Sequence, residues 1–380
     1  MDLIFESIGT TGDVAPLLAV ARELQRRGHV CELLTNATHS AAATAAGVRM
    51  TAVAEQAEIL RQVPSFEDYL YCSFSAITRF FSRRRGRAPM VVNCDRYCAS
   101  NLIAERHGLP VTRVHLSPFK LRPYDRDGTR YDLFAKDPRV LSYVNGLRCK
   151  LDLGPVESAF HEEPYVLRHV AAFPEWLCSP ALVAAPPLHF VDFPLPAEHA
   201  ALPAPLRDLV ARAGKPLVFT YGTANDDLDG FIAGAERCCN RLESPGVVLC
   251  PRGVGERRSS ARLLLCPYVP LSRILAKARL LVHHGGIGTA ARALAAGVPQ
   301  VIIPQRFDQP DNGARLERLG VARVLDARAF AAGALSTTVR ELLEDGDVAK
   351  RLEVLRQRVE RTDAVKNWAD LLERDLDAVA

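Results

Sequence analysis

The residues best suited to chemistry stand in one glycine-rich turn, HHGGIGT, at positions 283–289. An apolar run typical of a buried strand precedes it, and apolar residues at helical spacing follow it. Such a turn can bind phosphate, because the first N–H groups of a helix are unpaired and glycines let an anion approach. A plain turn with two incidental histidines fits the same letters, so both interpretations stay open. The candidate phosphate contacts are His283, Gly285, Gly286, Gly288 and Thr289.

A second polar loop, QRFDQPDN at positions 305–312, follows the next apolar strand. Loops at the carboxyl ends of neighbouring parallel strands open on the same edge of a sheet. Asp308 and Gln309 offer the acceptors and donors that sugar hydroxyls need. Asp308 or Asp311 could instead cap the following helix, and the spacing alone does not separate these two roles.

Asp13 is the candidate for proton transfer. It follows a glycine turn, Gly9 to Gly12, and precedes a segment with helical spacing. A carboxylate there can act as a general base towards a hydroxyl group. Aspartate is also a favoured helix N-cap, and Pro16 would then stand in the first turn, so spacing alone favours the cap.

The elements that position these residues alternate between strand and helix in both halves of the chain. Apolar strands separated by helices predict doubly wound α/β domains with parallel sheets. Prolines crowd residues 173–216, which we interpret as closing loops and an interdomain linker. The prediction is two Rossmann-like domains, residues 1–200 and 201–360, whose strand ends face a common cleft.

Composition excludes several other functions. The net charge of +4, from 48 basic and 44 acidic side chains among 380 residues, is too weak to indicate nucleic-acid binding. Ten cysteines lack the spacing of a metal site or disulfide framework, so no metal is expected. With no signal peptide or transmembrane run in the sequence, a cytoplasmic protein is expected. The basic run from Arg79 to Arg87 could touch an anionic membrane, although a solvated segment is favoured.

The stretch from HHGGIGTAARALAAGVPQVIIP to FDQPDN resembles the donor-binding signature of the GT-B glycosyltransferases that use UDP- and TDP-sugars. The N-terminal GTTGDVAPLLAVARELQRRGH resembles the opening of the acceptor domain in the same superfamily, so the resemblance extends over the chain. FPEWLCSP, PPLHFVDFPL and KPLVFTYGTAN are most similar to the branch of the rhamnolipid rhamnosyltransferases.

The resemblance implies a role for each candidate residue. His283 would contact the donor pyrophosphate, and Asp13 would be the catalytic base, with Asp95 as a candidate assistant that the nearest branch does not match. Asp308 and Gln309 would bind hydroxyls of the donor sugar. The other implied donor-binding residues are Gly12, Gly222, Thr223, Tyr268, Val269, Gly285, Gly286, Gly288 and Thr289.

The implied fold is GT-B, with an N-terminal acceptor domain, a C-terminal donor domain and a final helix, residues 361–380, that returns to the first domain. The implied reaction is inverting transfer of a hexose or deoxyhexose from a TDP- or UDP-sugar to a small hydrophobic acceptor, without a cofactor or metal. A GT-B epimerase or hydrolase and a non-catalytic sugar-nucleotide-binding helper remain alternatives. The chain is shorter than the rhamnolipid branch near residues 52–90 and 251–262, which leaves the acceptor open.

Overall fold

The computed structural model describes residues 1–54, 73–86, 88–94, 98–124, 136–159, 165–178, 188–198, 200–220, 227–250, 257–258, 260–267 and 269–378. The chain forms two compact units. Unit 1 comprises Met1–Pro196 and Asp363–Ala380, and unit 2 comprises Ala197–Thr362. The predicted divisions at residues 200 and 360 lie within a few residues of these boundaries. Each unit contains a doubly wound parallel sheet, which confirms the predicted α/β fold class.

Unit 1 is built on a seven-stranded sheet in the order β3-β2-β1-β4-β5-β6-β7, and its described strand pairs are all parallel. The central strands are buried along their length, as expected where helices cover both faces. The strands are β1 (Asp2–Glu6), β2 (Val30–Asn36), β3 (Arg49–Ala54), β4 (Met90–Asn93), β5 (Val111–His115), β6 (Val166–Ala171) and β7 (Leu188–Phe190).

Unit 2 has a second seven-stranded sheet in the order β10-β11-β9-β8-β12-β13-β14. Strand β10 at one edge is antiparallel to β11, and the other described pairs are parallel. The strands are β8 (Leu217–Thr220), β9 (Gly246–Cys250), β10 (Arg257–Arg258), β11 (Leu263–Pro267), β12 (Leu280–His283), β13 (Gln300–Ile302) and β14 (Ala322–Val324).

The described α-helices connect the strands and cover the two sheets. They are α1 (Thr11–Arg26), α2 (Ser40–Ala46), α3 (Phe74–Arg83), α4 (Ala99–His107), α5 (Pro138–Cys149), α6 (Ala204–Ala213), α7 (Leu228–Arg241), α8 (Leu271–Leu275), α9 (Ile287–Ala295), α10 (Gln309–Arg318), α11 (Ala327–Ala331), α12 (Leu335–Glu344), α13 (Val348–Glu360) and α14 (Ala364–Ala378). No helix in the described part of the chain is long and apolar enough to cross a bilayer.

The proline-rich stretch contains regular structure that the sequence analysis did not predict. Helix α6 begins directly after Pro203, and Pro205 occupies its first turn. Proline is tolerated there because the first N–H groups of a helix have no partner to lose. Strand β7 lies at the sheet edge, where a strand has to pair on one side only. The interpretation of residues 173–216 as loops and linker alone is therefore wrong.

The last helix, α14, belongs to the core of unit 1. Trp368 is completely buried and joins the apolar cluster that contains Leu17 and Leu24 of helix α1. Asp375 accepts hydrogen bonds from Nε of Arg168 on β6 at 2.7 and 2.8 Å, which fixes the helix to the sheet. The chain end is therefore a structural part of the first unit.

Replacing Trp368 by alanine is expected to lower the free energy of unfolding by about 3–5 kcal/mol, because a buried aromatic ring leaves a cavity that collapses only in part. The measurement is a urea unfolding curve of the full chain. Val354→Ala is the control, since Val354 is 52% exposed and its truncation should change stability by less than about 0.5 kcal/mol. Equal effects of the two variants would contradict the assignment of α14 to the core.

Candidate functional site

The glycine-rich turn joins the end of β12 to the start of helix α9, as its sequence predicts. Gly286 is the N-cap of α9, so the first N–H groups of the helix follow it directly. Gly285 has φ +94°, a conformation that side chains rarely adopt. A Cβ atom at Gly285 would lie 2.9 Å from Cγ2 of Ile302 and 3.0 Å from the carbonyl oxygen of Gln309. Glycine is therefore required at this position by both backbone conformation and space.

His283 supports this turn from inside. Its side chain is fully buried, and the backbone N–H of Gly285 donates to Nδ1 at 3.1 Å. The other ring nitrogen, Nε2, lies 3.0 Å from Oε1 of Gln300 and must carry the proton, since an amide oxygen only accepts. Burial lowers the pKa of His283 to about 3, so the ring is neutral. Both nitrogens are engaged, which leaves this side chain without the exposed donor that the predicted pyrophosphate contact needs.

His284 differs from His283 in its exposure. The residue is partly exposed at the start of the turn, although its Nδ1 is buried and has no hydrogen-bond partner among the described residues. Burial lowers the pKa of His284 to about 4, so this ring is also neutral near pH 7. A Cβ atom at Gly286 would lie 2.7 Å from Nε2 of His284, so glycine at this position leaves room for the imidazole. Of the two histidines, His284 is the one that a ligand can reach.

Asn312 brings the two predicted donor segments together. Its side-chain amide, which is buried, donates to the carbonyl oxygen of Gly285 at 3.0 Å and to Oδ2 of Asp308 at 2.9 Å. Asp308 holds the N-cap position of helix α10, but its side chain does not cap the helix. Asp311 pairs with Arg315 at 2.7 Å instead. The carboxylate of Asp308 is therefore held beside the glycine turn, and sequence reasoning did not single out the residue that holds it.

Gln309 shapes the loop before α10. Its Oε1 accepts hydrogen bonds from the backbone N–H groups of Gln305 at 2.8 Å and Arg306 at 3.2 Å. Phe307, which follows Arg306, has φ +58° and is 74% exposed. A bulky residue rarely adopts that conformation, and such outliers concentrate at functional sites. The loop is thus well defined although it is exposed.

Asp13 lies in unit 1 and differs from its predicted position. Helix α1 begins at Thr11, so Asp13 stands inside its first turn and Thr10 is the N-cap. Oδ2 of Asp13 accepts from the backbone N–H of Thr10 at 2.7 Å and from its hydroxyl at 3.0 Å. The backbone N–H of Asp13 donates in turn to the side chain of Thr10, and the two reciprocal contacts form a capping box. Asp13 is therefore not the N-cap residue itself. Its side chain is partly exposed and fixed in orientation.

Two residues of unit 1 position the loop that precedes Asp13. The side-chain amide of Asn36, a fully buried residue at the end of β2, donates to the carbonyl oxygen of Gly9 at 3.0 Å. Nε2 of His39 lies 3.2 Å from the same oxygen. A Cβ atom at Gly9 would lie 2.3 Å from Oδ2 of Asp13, so this loop packs directly on the carboxylate. Neither contact could be read from the sequence, because each joins residues about thirty positions apart.

The other predicted donor residues are less informative. Gly288 and Thr289 lie in the first turn of α9 and are partly exposed, Gly12 is exposed, and Val269 is buried. Within the described ranges, no group of three or more His, Cys, Asp or Glu side chains could hold a metal ion. Four predicted positions lie outside the described residues: Asp95, Gly222, Thr223 and Tyr268.

The lowered pKa values of His283 and His284 predict that the free energy of unfolding depends on pH. Their folded-state pKa values of about 3 and about 4 lie below the unfolded value of about 6.5. The unfolded chain therefore binds more protons than the folded one between these pH values. The contribution of the two histidines to the free energy of unfolding is complete above pH 6.5 and is lost as the pH falls. Each histidine should contribute a slope of about 1.4 kcal/mol per pH unit below pH 6.

Urea unfolding at pH 7, 6 and 5 measures this slope. His284→Gln should make the pH dependence shallower by the contribution of one histidine, whereas His107→Gln, at the exposed end of α4, should leave it unchanged. An identical slope in His284→Gln and the parent chain would contradict the proposed neutrality of that ring.

Comparison of the sequence with known proteins identifies several relatives. Residues 259–362 match the family described as erythromycin biosynthesis protein CIII-like, C-terminal domain. The oleandomycin glycosyltransferase of Streptomyces antibioticus is 31% identical over 44% of this chain, and the match spans 40% of that relative. The chain thus covers about two fifths of the first relatives that it matches. Glycosyltransferase GtfC of Amycolatopsis orientalis is 26% identical over 90% of both chains.

Solved structures match along nearly the whole chain. The glycotransferase of kitacinnamycin has a TM-score of 0.77 at 23% identity and covers 98% of both chains. The spinosyn rhamnosyltransferase SpnG, solved with thymidine diphosphate, has a TM-score of 0.73 at 17% identity and covers 98% of this chain and 100% of its own. The fold is GT-B, as predicted.

Proposed function

We propose that this chain is an inverting glycosyltransferase that moves a hexose or deoxyhexose from a TDP- or UDP-sugar to a hydroxyl group of a small hydrophobic acceptor. One observation carries the proposal: the amide of Asn312 holds the glycine turn and the carboxylate of Asp308 in one place. A phosphate-binding helix start and a sugar-binding carboxylate side by side fit a nucleotide sugar, whose diphosphate adjoins its sugar.

On the donor side, the first N–H groups of α9 would hold the diphosphate, and His284 would add one hydrogen bond. This assigns to His284 the contact that the sequence analysis expected of His283, which instead supports the turn from within. A neutral imidazole donates one hydrogen bond without needing protonation. Donors fixed before the reaction stabilise the negative charge that grows on the departing diphosphate.

Asp308 and Gln309 would bind hydroxyls of the sugar, and Tyr268 and Val269 would border the nucleobase, as the resemblance implies. Gly12, Gly222 and Thr223 stay predictions of the same kind. The thymidine diphosphate in the spinosyn rhamnosyltransferase supports TDP as the first nucleotide to test, and rhamnose as one sugar to include. A specific relation to rhamnolipid synthesis stays a prediction.

On the acceptor side, Asp13 would take the proton of the acceptor hydroxyl. The acceptor oxygen forms a bond to the anomeric carbon while the bond from that carbon to the diphosphate oxygen breaks, and the nucleoside diphosphate leaves with the electron pair. Carboxylates are weak bases towards alcohols, so the proton would move late, when the sugar is oxocarbenium-like. The same carboxylate can stabilise that positive charge.

A binding screen tests the donor assignment. The full chain is heated with TDP-, UDP- and GDP-sugars in turn, and a bound donor raises the melting temperature by mass action. A TDP- or UDP-sugar at ten times its dissociation constant should raise it by about 3–6 °C, with a smaller effect of GDP-sugars. The absence of a shift with every nucleotide sugar would contradict the proposal.

A further inference from the structure

Unit 1 contains a cavity of about 400 Å³ whose lining includes none of the residues to which the proposed function gives a role. It lies between the sheet edge formed by β2 and β3 and the helix α3. Its volume is within the range of small-molecule sites in proteins. The sheet side of the lining comprises Glu32, Thr51, Ala52 and Val53, and the helix side comprises Ala76, Arg79, Phe80, Arg83 and Arg84.

The acidic group in this cavity already has partners. The hydroxyl of Thr51 donates to Oε1 of Glu32 at 2.8 Å, and Nη1 of Arg84 lies 3.9 Å from its other carboxylate oxygen. Arg84 also forms an ion pair with Asp2. Glu32 and Arg84 therefore compensate each other and fix one end of the cavity.

Arg79 and Arg83 have no such compensation. No carboxylate in the described part of the chain lies within ion-pair distance of either guanidinium group. Four residues apart on α3, they stand on the same side of the helix about one turn apart, where like charges destabilise a helix. Both side chains are exposed, so an anion that enters the cavity from solvent can reach the two guanidinium groups.

The rest of the wall is apolar. Val53 and Ala76 line the cavity, and the ring of Phe80 is held in place by an edge-on contact with Phe81 at 5.3 Å between centroids. An acid group could reach the two arginines while an attached hydrocarbon covers this apolar wall. Inorganic phosphate would satisfy only the charged part.

We propose that this cavity binds an amphipathic organic anion, with its acid group on Arg79 and Arg83 and its apolar body on Val53, Ala76 and Phe80. Guanidinium groups suit this role because they bind carboxylate or phosphate through paired hydrogen bonds. The anion is either a free organic acid or the acidic headgroup of a lipid. The site is formed by residues of unit 1, whereas the proposed donor contacts of the described residues are mostly in unit 2, and it does not depend on the proposed function.

Calorimetry of the full chain with sodium octanoate tests the proposal, and 1-octanol serves as the neutral molecule of equal chain length. Octanoate should bind, and the double variant Arg79→Gln/Arg83→Gln should bind it about ten- to hundredfold more weakly, as expected for loss of charge-assisted hydrogen bonds. Arg85→Gln is the matched control, because Arg85 is in the same basic run but donates to the carbonyl oxygens of Ser82 and Arg84. Binding by this control should be unchanged.

A second arm identifies the source of the anion. Phosphatidylcholine vesicles with and without phosphatidylglycerol are sedimented with the same three proteins. If the protein binds the acidic vesicles and only the double variant binds them more weakly, the anion is a lipid headgroup. If the protein binds octanoate but not the vesicles, the anion is a free acid. The proposal is overturned by absence of binding in both arms, or by an equal loss in Arg85→Gln. Melting curves should show that all variants fold, since the substituted side chains are exposed.

Discussion

An Asp13→Asn variant is expected to lose about 10²–10⁴-fold in kcat, the usual contribution of a general base, while its affinity for the donor stays the same. Asparagine keeps an oxygen that can accept from Thr10, so the capping box and the start of α1 should persist. What it removes is the ability to take a proton and to stabilise a positive charge. The rates are measured under donor saturation, together with the donor Kd by calorimetry.

Asp137→Asn is the matched control for this variant. Asp137 is also an aspartate at a helix start in unit 1, where it accepts from the backbone N–H of Arg139 at 2.8 Å. Its replacement tests a purely structural capping role, and we expect no change in kcat. A full transfer rate in Asp13→Asn would contradict the role as base and leave Asp13 only its part in the capping box.

The second large effect is expected at His284. His284→Ala should weaken binding of the nucleoside diphosphate about ten- to hundredfold, the value of a hydrogen bond to a charged group, without loss of thermal stability. His283→Ala should act in the opposite way. It leaves Oε1 of Gln300 and the N–H of Gly285 without partners inside the protein, which costs about 1–3 kcal/mol for each group.

Calorimetry with TDP and UDP, and urea unfolding of both variants, separate these roles. The proposal requires the loss of affinity to follow His284 and the loss of stability to follow His283. If only His283→Ala weakened binding of the diphosphate, and this variant kept the stability of the parent chain, the contact would belong to His283, as the resemblance implied.

Much of the fold was predictable because doubly wound domains leave a regular trace in the sequence. The apolar positions Val14, Leu17, Leu18, Ala21 and Leu24 of α1 are all buried, as their spacing predicted. Strands such as β4 and β12 are short apolar runs that are buried along their length. The spacing did not predict regular structure among the prolines. Pro203 and Pro205 do not prevent a helix, because proline is tolerated at a helix start.

The residues of the donor loops were also predictable, but their roles were less so. His283 and His284 are adjacent and chemically identical, and only the end of β12 decides which one is buried. The one signal in the sequence was Gln300, a polar residue at the start of a buried strand, because a buried amide needs a buried hydrogen-bond partner. The role of Asn312 depends on contacts with Gly285, 27 positions away, and no local pattern reports such a contact.

Glu6 illustrates the same limit in unit 1. It is fully buried at the end of β1, where its carboxylate accepts from the backbone N–H groups of Ala99 at 3.1 Å and Ser100 at 2.9 Å. It thus caps helix α4, more than ninety positions away. A capping residue is recognised in a sequence by its closeness to the helix, so a cap supplied by another element escapes that rule.

Mass spectrometry of the reaction products tests the central claim most directly. The chain is incubated with TDP- and UDP-linked hexoses and deoxyhexoses and a panel of small hydrophobic alcohols and hydroxy acids. The proposal predicts an acceptor that has gained one sugar residue, with an equal amount of nucleoside diphosphate released, and both products formed about 10²–10⁴-fold more slowly by Asp13→Asn. Free sugar or an epimerised nucleotide sugar as the only product across the panel would contradict it.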